Sequence, residues 1–570
     1  MVEMKAPWLS CYGDVKFHLD YPKTSMSGAV LDTCKKFPKT VALSFMGKKT
    51  RFSQLASVID DCAKAFAAIG IKQGQHVCLC MPNVPQTVFA LYGLNRIGAI
   101  ATMIHPLSAE GEIVFYLKEA SCDVVVTLDQ FYGKFVNVQK NAPIKKLIIA
   151  SIADALGAVK SVGYRLTQGR KIPSVPAVEN VLLWNDFLKL GKDYQGEYVI
   201  DKKAEDPAVI LFSGGTTGVT KGILLSNLNF NALALQTINM CHFPVTGKRM
   251  LAAMPMFHGF GLGVCVHTMM IAGGTSILVP RFTPKEYAKL ILKEKPNYIA
   301  GVPTLFETIT RNSDLDGKNL DFLLGVFSGG DCLSIELKKK FDQFLADHGA
   351  RVRIREGYGT TECVTASCLT PYNAEVEGSI GLPYPDTYYK ICAVGTIDEV
   401  PYGEDGEICL SGPSVMLGYL NHPEENANTL RTHADGRVWL HTGDLGSMNE
   451  KGFVFFKQRI KRMIITSGYN VYPSQLENII DRHHAVQMSC VIGVKDSVKM
   501  QKIKAFVMLK DGVEATDDIL ESLREHCHKN IARYALPYDI EIRKTLPKTL
   551  VGKVAYKILE EEEASKQNQN

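Results

Sequence analysis

Between positions 53 and 70 the chain reads SQLASVIDDCAKAFAAIG, with Leu55, Val58, Ile59, Cys62, Phe66 and Ile69 three or four residues apart and a glycine at the end. That spacing predicts a helix with one apolar face. The unbroken apolar run 76–81, HVCLCM, closes on Pro82 and predicts a buried strand. A second helical pattern over 84–97 and a second apolar run over 99–104 repeat the alternation. Further strands are predicted at 124–128, 146–150, 208–212, 275–279 and 298–301. Helices alternating with buried strands indicate an α/β architecture with largely parallel sheets.

The pattern changes twice more. From 373 to 418, Gly and Pro separate short β-like runs at 389–394 and 406–411. They predict a small β-rich subdomain, about 373–458, attached to the larger α/β unit. After Lys457 an apolar strand, a helix over 474–483, strands over 489–494 and 503–510 and another helix start a new α+β unit. The predicted boundary falls at Lys461, giving an N-terminal part of 1–460 and a C-terminal part of 461–570. The polar end, EEEEASKQNQN, is expected to fray.

Length agrees with more than one core, since 570 residues exceed what a single hydrophobic core fills. The formal net charge of +5 is small and dispersed, which leaves no electrostatic footprint for nucleic acid. The pairs and triplets Lys145-Lys146 and Lys338-Lys339-Lys340 are read as solvated helix faces. The 15 cysteines include no paired C-x-x-C spacing, so they are read as reduced thiols of a cytoplasmic protein. The first residues, MVEMKAPWLSCYGD, lack the apolar centre of a signal peptide. Residues 259–279 carry no Asp, Glu, Lys or Arg, but glycines, His267 and the ending TSILV predict a buried helix, a turn and a buried strand rather than a membrane span.

Candidate chemistry begins at FSGGTTGVTKG, 212–222, where glycines expose backbone N–H groups and hydroxyls and a lysine surround them. This composition suits a phosphate. The Walker pattern requires Ser or Thr after the lysine, and here Gly222 follows Lys221. Four other segments join it: REGYGTTE at 355–362, HTGDLG at 441–446, RIKRMIITSGYNVYP at 459–473 and PKTLVGK at 547–553.

In order and spacing these five segments resemble the adenylate-forming superfamily of acyl-CoA synthetases, peptide-synthetase adenylation domains and firefly luciferases, over nearly the whole chain. The resemblance implies that Ser213, Gly214, Gly215, Thr216, Thr217, Gly218 and Lys221 hold the β- and γ-phosphates of ATP; Thr220 stands where the family usually has Pro. Tyr358 would stack on adenine, with Gly329, Gly330 and Asp331 on the other side of the base and Gly359 and Thr360 beside the nucleotide. Thr361 would contact the α-phosphate, Glu362 would bind Mg²⁺, and Asp444, assisted by Arg459, would take the ribose hydroxyls. Lys553 would neutralise charge at the reacting oxygens. Lys461 matches a hinge about which the C-terminal part swings as a mobile lid between two half-reactions. Gly468 matches the wall of the thiol channel, and His258 matches a gate between that channel and the acyl pocket.

The glycine loop and the segment 151–195 are most similar to bacterial medium- and long-chain fatty acyl-CoA synthetases. Residues 256–263 contain no acid to hold an α-amino group, which argues against an amino-acid substrate. The pocket is expected from 257–264, 301–306 and 326–330, which are small or apolar. The implied reaction joins a carboxylate to coenzyme A through an acyl-adenylate, with ATP consumed. A freestanding ligase loading a carrier protein, a luciferase-like oxygenase and a non-catalytic adenylate-binding protein stay open as alternatives, as do peripheral membrane contact and oligomeric state.

Overall fold

The computed structural model describes residues 6–212, 220–242, 244–281, 283–466, 469–496, 500–549 and 553–567. Among these, strands form four sheets. In one, Gly325–Ser328, Tyr298–Gly301, Arg249–Ala252, Thr275–Leu278 and Val41–Phe45 lie parallel in that order, continued by Ile354–Tyr358 next to Gly325–Ser328. In the other large sheet, Pro207–Phe212, Ile100–Met103, His76–Cys80, Val124–Leu128 and Lys146–Ala150 are parallel. Apolar runs with no polar alternation go into strands covered on both faces, as the sequence implies.

Residues of both sheets share one core with helices Phe52–Ala68 and Pro85–Arg96. Every residue from Pro85 to Asn95 is buried. A helix buried on all sides needs its polar groups satisfied internally. Asn95 meets this by donating to Asn227 Oδ1 at 2.8 Å while its own Oδ1 accepts from Ser27 N at 2.8 Å. The uncharged stretch 259–279 becomes a helical segment, Phe260–His267 and Thr268–Ala272, followed by the strand Thr275–Leu278. His267 is buried there between Tyr92 Oη and Asn231 Oδ1, each 3.0 Å away, and burial lowers its ring to about 3. Among the described residues no helix is long and apolar enough to cross a membrane.

A third sheet, Tyr388–Cys392, Gly406–Ser411, Val438–Met448 and Leu430–Thr432, is antiparallel and carries Val454–Arg459 on Val438–Met448. The fourth begins at Ile464–Thr466 and has its own apolar clusters, with Val486–Asp496 against Met500–Leu509 at its centre. The turn Ile460–Arg462 joins the last two.

Two expectations are corrected here. The acidic tail is a helix, Tyr556–Gln567, because Tyr556 and Leu559 enter the C-terminal core and the buried Glu563 meets Lys504 Nζ at 3.1 Å. Lys145 and Lys146 form no helix face: Lys146 opens the strand Lys146–Ala150, and Lys145 pairs with Asp123 at 2.5 Å.

Candidate active site

The segment REGYGTTE forms strand Ile354–Tyr358, between Gly325–Ser328 and Cys368–Leu369, and then turns through Thr361–Cys363. Val364 follows with φ +66° and ψ −56°, its flanks closed by a Thr365 N–H to Cys363 C=O bond of 2.8 Å. This is a γ-turn with positive φ, which is strained for a β-branched residue. Glycine on both sides makes the turn fit: a Cβ at Gly359 would lie 2.2 Å from Thr365 O, and one at Gly259 would lie 1.6 Å from Val364 O. The two backbones therefore touch, bringing the segment that carries His258 and Gly259 against Val364 and Thr365.

HTGDLG lies within strand Val438–Met448, whose neighbour across the ladder is Arg459. Asp444 is buried; its Oδ2 accepts from Tyr358 Oη at 2.6 Å, and Arg459 Nε stands 3.0 Å from its Oδ1. That Oδ1 accepts no hydrogen bond from the protein. Burial raises the Asp444 carboxyl above the ordinary value, against the pull of Arg459. The turn is held by Glu407, which takes Gly443 N at 2.9 Å with Oε1 and His441 Nδ1 at 2.8 Å with Oε2. Glu407 and His441, with Cys409, form a buried cluster of metal-capable groups, but these bonds already fix the turn on which Asp444 sits. The sequence reading missed Glu407 because 34 residues separate it from His441.

Lys553 arrives from the C-terminal part. A Cβ on Gly330 would lie 3.9 Å from Lys553 Cε, so the lysine stem runs along the Ser328–Gly330 backbone. Burial lowers its ammonium pKa, offset mainly by Asp331, with Arg459 and Asp444 also within electrostatic reach. His258 faces the same space; burial and then the charge of Lys553 lower its ring to about 4, so it is neutral near pH 7. Its Nδ1 accepts from Phe260 N at 3.2 Å.

Glu362 and Lys221 meet on the opposite side of this space. Tyr419 Oη donates to Glu362 Oε1 at 2.8 Å, Lys221 Nζ lies 2.7 Å from Glu425 Oε2, and the Tyr419 ring centroid is 4.9 Å from the same Nζ. Lys221 directly precedes strand Gly222–Ser226, whose partner Pro207–Phe212 ends just before the glycine loop. The predicted phosphate contacts Ser213, Gly214, Gly215, Thr216, Thr217 and Gly218, and the predicted channel residue Gly468, lie outside the described residues. Lys461 is exposed in the turn Ile460–Arg462.

A narrow apolar cavity opens beside Gly330, against which Lys553 lies. Its near wall is Ser328, Gly329, Gly330 and Gly357, and its far side is Val245, Met250, Tyr298 and Cys241. The expected stretches 257–264 and 326–330 contribute Phe260, Val264 and Phe327, but 301–306 contributes nothing. Leu305 and Phe306 instead fill a separate core on the other face of the sheet. Helix Asn227–Cys241 supplies Thr237, Ile238 and Cys241, which no local motif marked.

A family model described as AMP-binding enzyme matches residues 30–420, and one described as AMP-binding enzyme C-terminal domain matches 475–553. The chain belongs to the AMP-binding enzyme family. Among relatives of this AMP-binding enzyme, a long-chain-fatty-acid–CoA ligase of Bacillus subtilis is 34% identical over 99% of both chains, and one of Escherichia coli O6:H1 is 30% identical over 99% of both. In fold it is similar to ATP-bound MatB from Rhodopseudomonas palustris, with TM-score 0.81 and 22% identity, covering 95% of this chain and 99% of that one. The α/β sheets, β-rich sheet and small C-terminal sheet are thus those of adenylate-forming enzymes.

Proposed function

We propose that this AMP-binding enzyme is an ATP-dependent acyl-CoA ligase for an apolar, medium- or long-chain fatty acid. A carboxylate oxygen attacks the α-phosphorus of ATP, pyrophosphate leaves, and the acyl-adenylate forms. The thiolate of coenzyme A then attacks the acyl carbonyl and AMP leaves. The observation that carries this reading is the cavity: a narrow apolar space ends on Gly329 and Gly330, and Lys553 lies against Gly330. Its lining suits an alkyl chain with the carboxylate at the lysine end. The B. subtilis and E. coli relatives support the same acid class.

In this reading the Asp444 Oδ1 that accepts no protein hydrogen bond receives ribose hydroxyls, and Tyr358, with Gly329, Gly330 and Asp331, encloses adenine. Lys221 holds the outer phosphates, Thr361 the α-phosphate, and Lys553 the oxygens that gain charge in the transition state. Glu362 offers a hard carboxylate oxygen of the kind Mg²⁺ takes. When bound, Mg²⁺ neutralises phosphate charge. Neutral His258, within electrostatic reach of Lys553, gates the passage toward the thiol.

We also place a domain boundary at Lys461, with 461–570 as a lid. An exposed turn between two sheets supports it, together with the separate family model for 475–553. With Lys553 inside the site, the described pose suits the adenylate-forming half-reaction. A cytoplasmic setting accords with cysteines that are all free.

The test is AMP release with acetate through palmitate, cinnamate, a bile acid and amino acids, with and without coenzyme A. Release that rises with alkyl length and requires coenzyme A is expected. Activity confined to aryl or amino acids would contradict the acid class, and exchange without coenzyme-A-dependent turnover would favour a carrier-protein acceptor.

A further inference from the structure

Between the phosphate lysine and the metal carboxylate runs a short segment that the sequence reading did not single out. Gly418–Tyr419 is a two-residue strand paired with Gly222–Ser226, placing Tyr419 opposite Ile223. Leu417 N donates to Leu224 O at 2.9 Å and Leu420 N to Gly222 O at 2.7 Å, so the segment is stitched to the chain immediately after Lys221. At its other end Met416 N donates to Glu362 O at 2.7 Å. The Asn426 side chain grips Tyr419 from both sides, accepting from its N–H at 2.5 Å and donating to its carbonyl at 2.9 Å.

That fixed side chain touches both charged groups. Its hydroxyl donates to Glu362 Oε1, and the face of its ring lies against Lys221 Nζ. Glu425, on the helix Pro423–Thr429 that follows, ion-pairs with Lys221 and is held below its ordinary pKa chiefly by that contact. A carboxylate has about four lone-pair sites. One bond from Tyr419 fixes its plane and leaves the others for a cation.

We infer that Tyr419 is a positioning residue that orients Glu362 for Mg²⁺ and Lys221 for the outer phosphates of ATP, while Glu425 holds the Lys221 ammonium until phosphate oxygens replace it. The inference rests on the proposed roles of Glu362 and Lys221. It adds two residues to that machinery and a charge exchange on ATP binding: one anion, Glu425, gives way to another. Groups that orient a metal ligand through a hydrogen bond commonly change metal affinity by ~10–100-fold when removed.

The experiment measures Mn²⁺ affinity by electron paramagnetic resonance with α,β-methylene-ATP present, in the wild type, Tyr419→Phe, Glu362→Gln and Glu425→Gln. Tyr419→Phe keeps the ring and removes only the hydroxyl, so its melting temperature should match the wild type. Its Mn²⁺ affinity should fall about tenfold, with a parallel rise in the Mg²⁺ needed for half-maximal AMP release and no change in KM for the carboxylate. Glu425→Gln should bind the nucleotide analogue several-fold more tightly, because the Glu425–Lys221 ion pair no longer has to open. If Glu362→Gln weakens Mn²⁺ binding and Tyr419→Phe does not, the positioning role is overturned and the site reading stands. If neither does, the metal assignment itself falls, and the inference with it. Weaker or unchanged nucleotide binding by Glu425→Gln would overturn the exchange at Lys221.

Discussion

Glu356 shows how the site imposes a cost on single residues. It lies on the strand leading to Tyr358, and its Oε1 accepts from Leu333 N at 3.2 Å; burial nonetheless pushes its carboxyl up to about 7. In the unfolded chain a glutamate titrates near ~4.3. The folded state therefore binds this proton more tightly, and the associated stability is present below the unfolded value and lost as pH rises through about 7. Glu356→Gln can still accept from Leu333 and has no charge to bury. Its melting temperature should equal the wild type's near pH 4, exceed it increasingly as pH rises from there to about 7, and hold that lead above; a constant offset over the rise to about 7 would contradict the burial argument. Residues such as Tyr358, Asp444 and Lys553 could be singled out from sequence because their neighbours are glycines and hydroxyls in unusual order. Glu407 and Tyr419 could not, since their partners His441 and Glu362 are brought near only by strand pairing.

At the scale of elements, periodicity marked the helix Phe52–Ala68 and the buried strands almost residue for residue, because an apolar face of regular spacing is itself the cause of those elements. The C-terminal helix was missed for the complementary reason: part of what it buries is charge. Lys504, 6% exposed, meets Asp539, Glu541 and Glu563 at 3.0, 2.8 and 3.1 Å, and Glu563 is itself 8% exposed. Four consecutive glutamates read as solvated until the lysine on another strand is known. Lys504→Met would leave Glu563 with Lys566, 2.7 Å away, and would take from Asp539, Glu541 and Glu563 the buried cation they share. We expect a lower melting temperature and protease cleavage within 557–566 under native conditions. Unchanged resistance there would mean that the apolar contacts of Tyr556 and Leu559 suffice. The same cluster sets an acid limit: Glu541 is held at about 2 by Lys504 and Arg543 in spite of burial, so its stabilisation is present above the unfolded carboxylate range and lost as pH falls toward about 2.

Across the whole molecule, the site is a meeting place of three sheets, and its legibility divides along that line. Motifs proposed to contact the nucleotide are local and could be read in order along the chain. The cavity proposed for the acyl chain is assembled from helix Asn227–Cys241, strands Arg249–Ala252 and Tyr298–Gly301 and the loop after Tyr358, which become neighbours only through the sheet order. Hence 301–306 was wrongly assigned to the pocket: helix Pro303–Thr310 directs Leu305 and Phe306 into the other core. The two-pose proposal also belongs to this scale. The C-terminal part inserts Lys553 beside Gly330, and Arg311 reaches Asp511 across the junction at 3.2 Å, an exposed contact that can open readily.

The most direct test of an acyl-adenylate route is palmitate-dependent exchange of pyrophosphate into ATP without coenzyme A, measured beside thioester formation from supplied palmitoyl-adenylate and coenzyme A, in the wild type and Lys553→Ala. The wild type should perform both. Lys553→Ala should lose exchange by ~10²-fold or more and keep thioester formation within a few-fold, because in the second pose Lys553 has left the site. No exchange in the wild type, or equal loss of both half-reactions in the variant, would contradict the account.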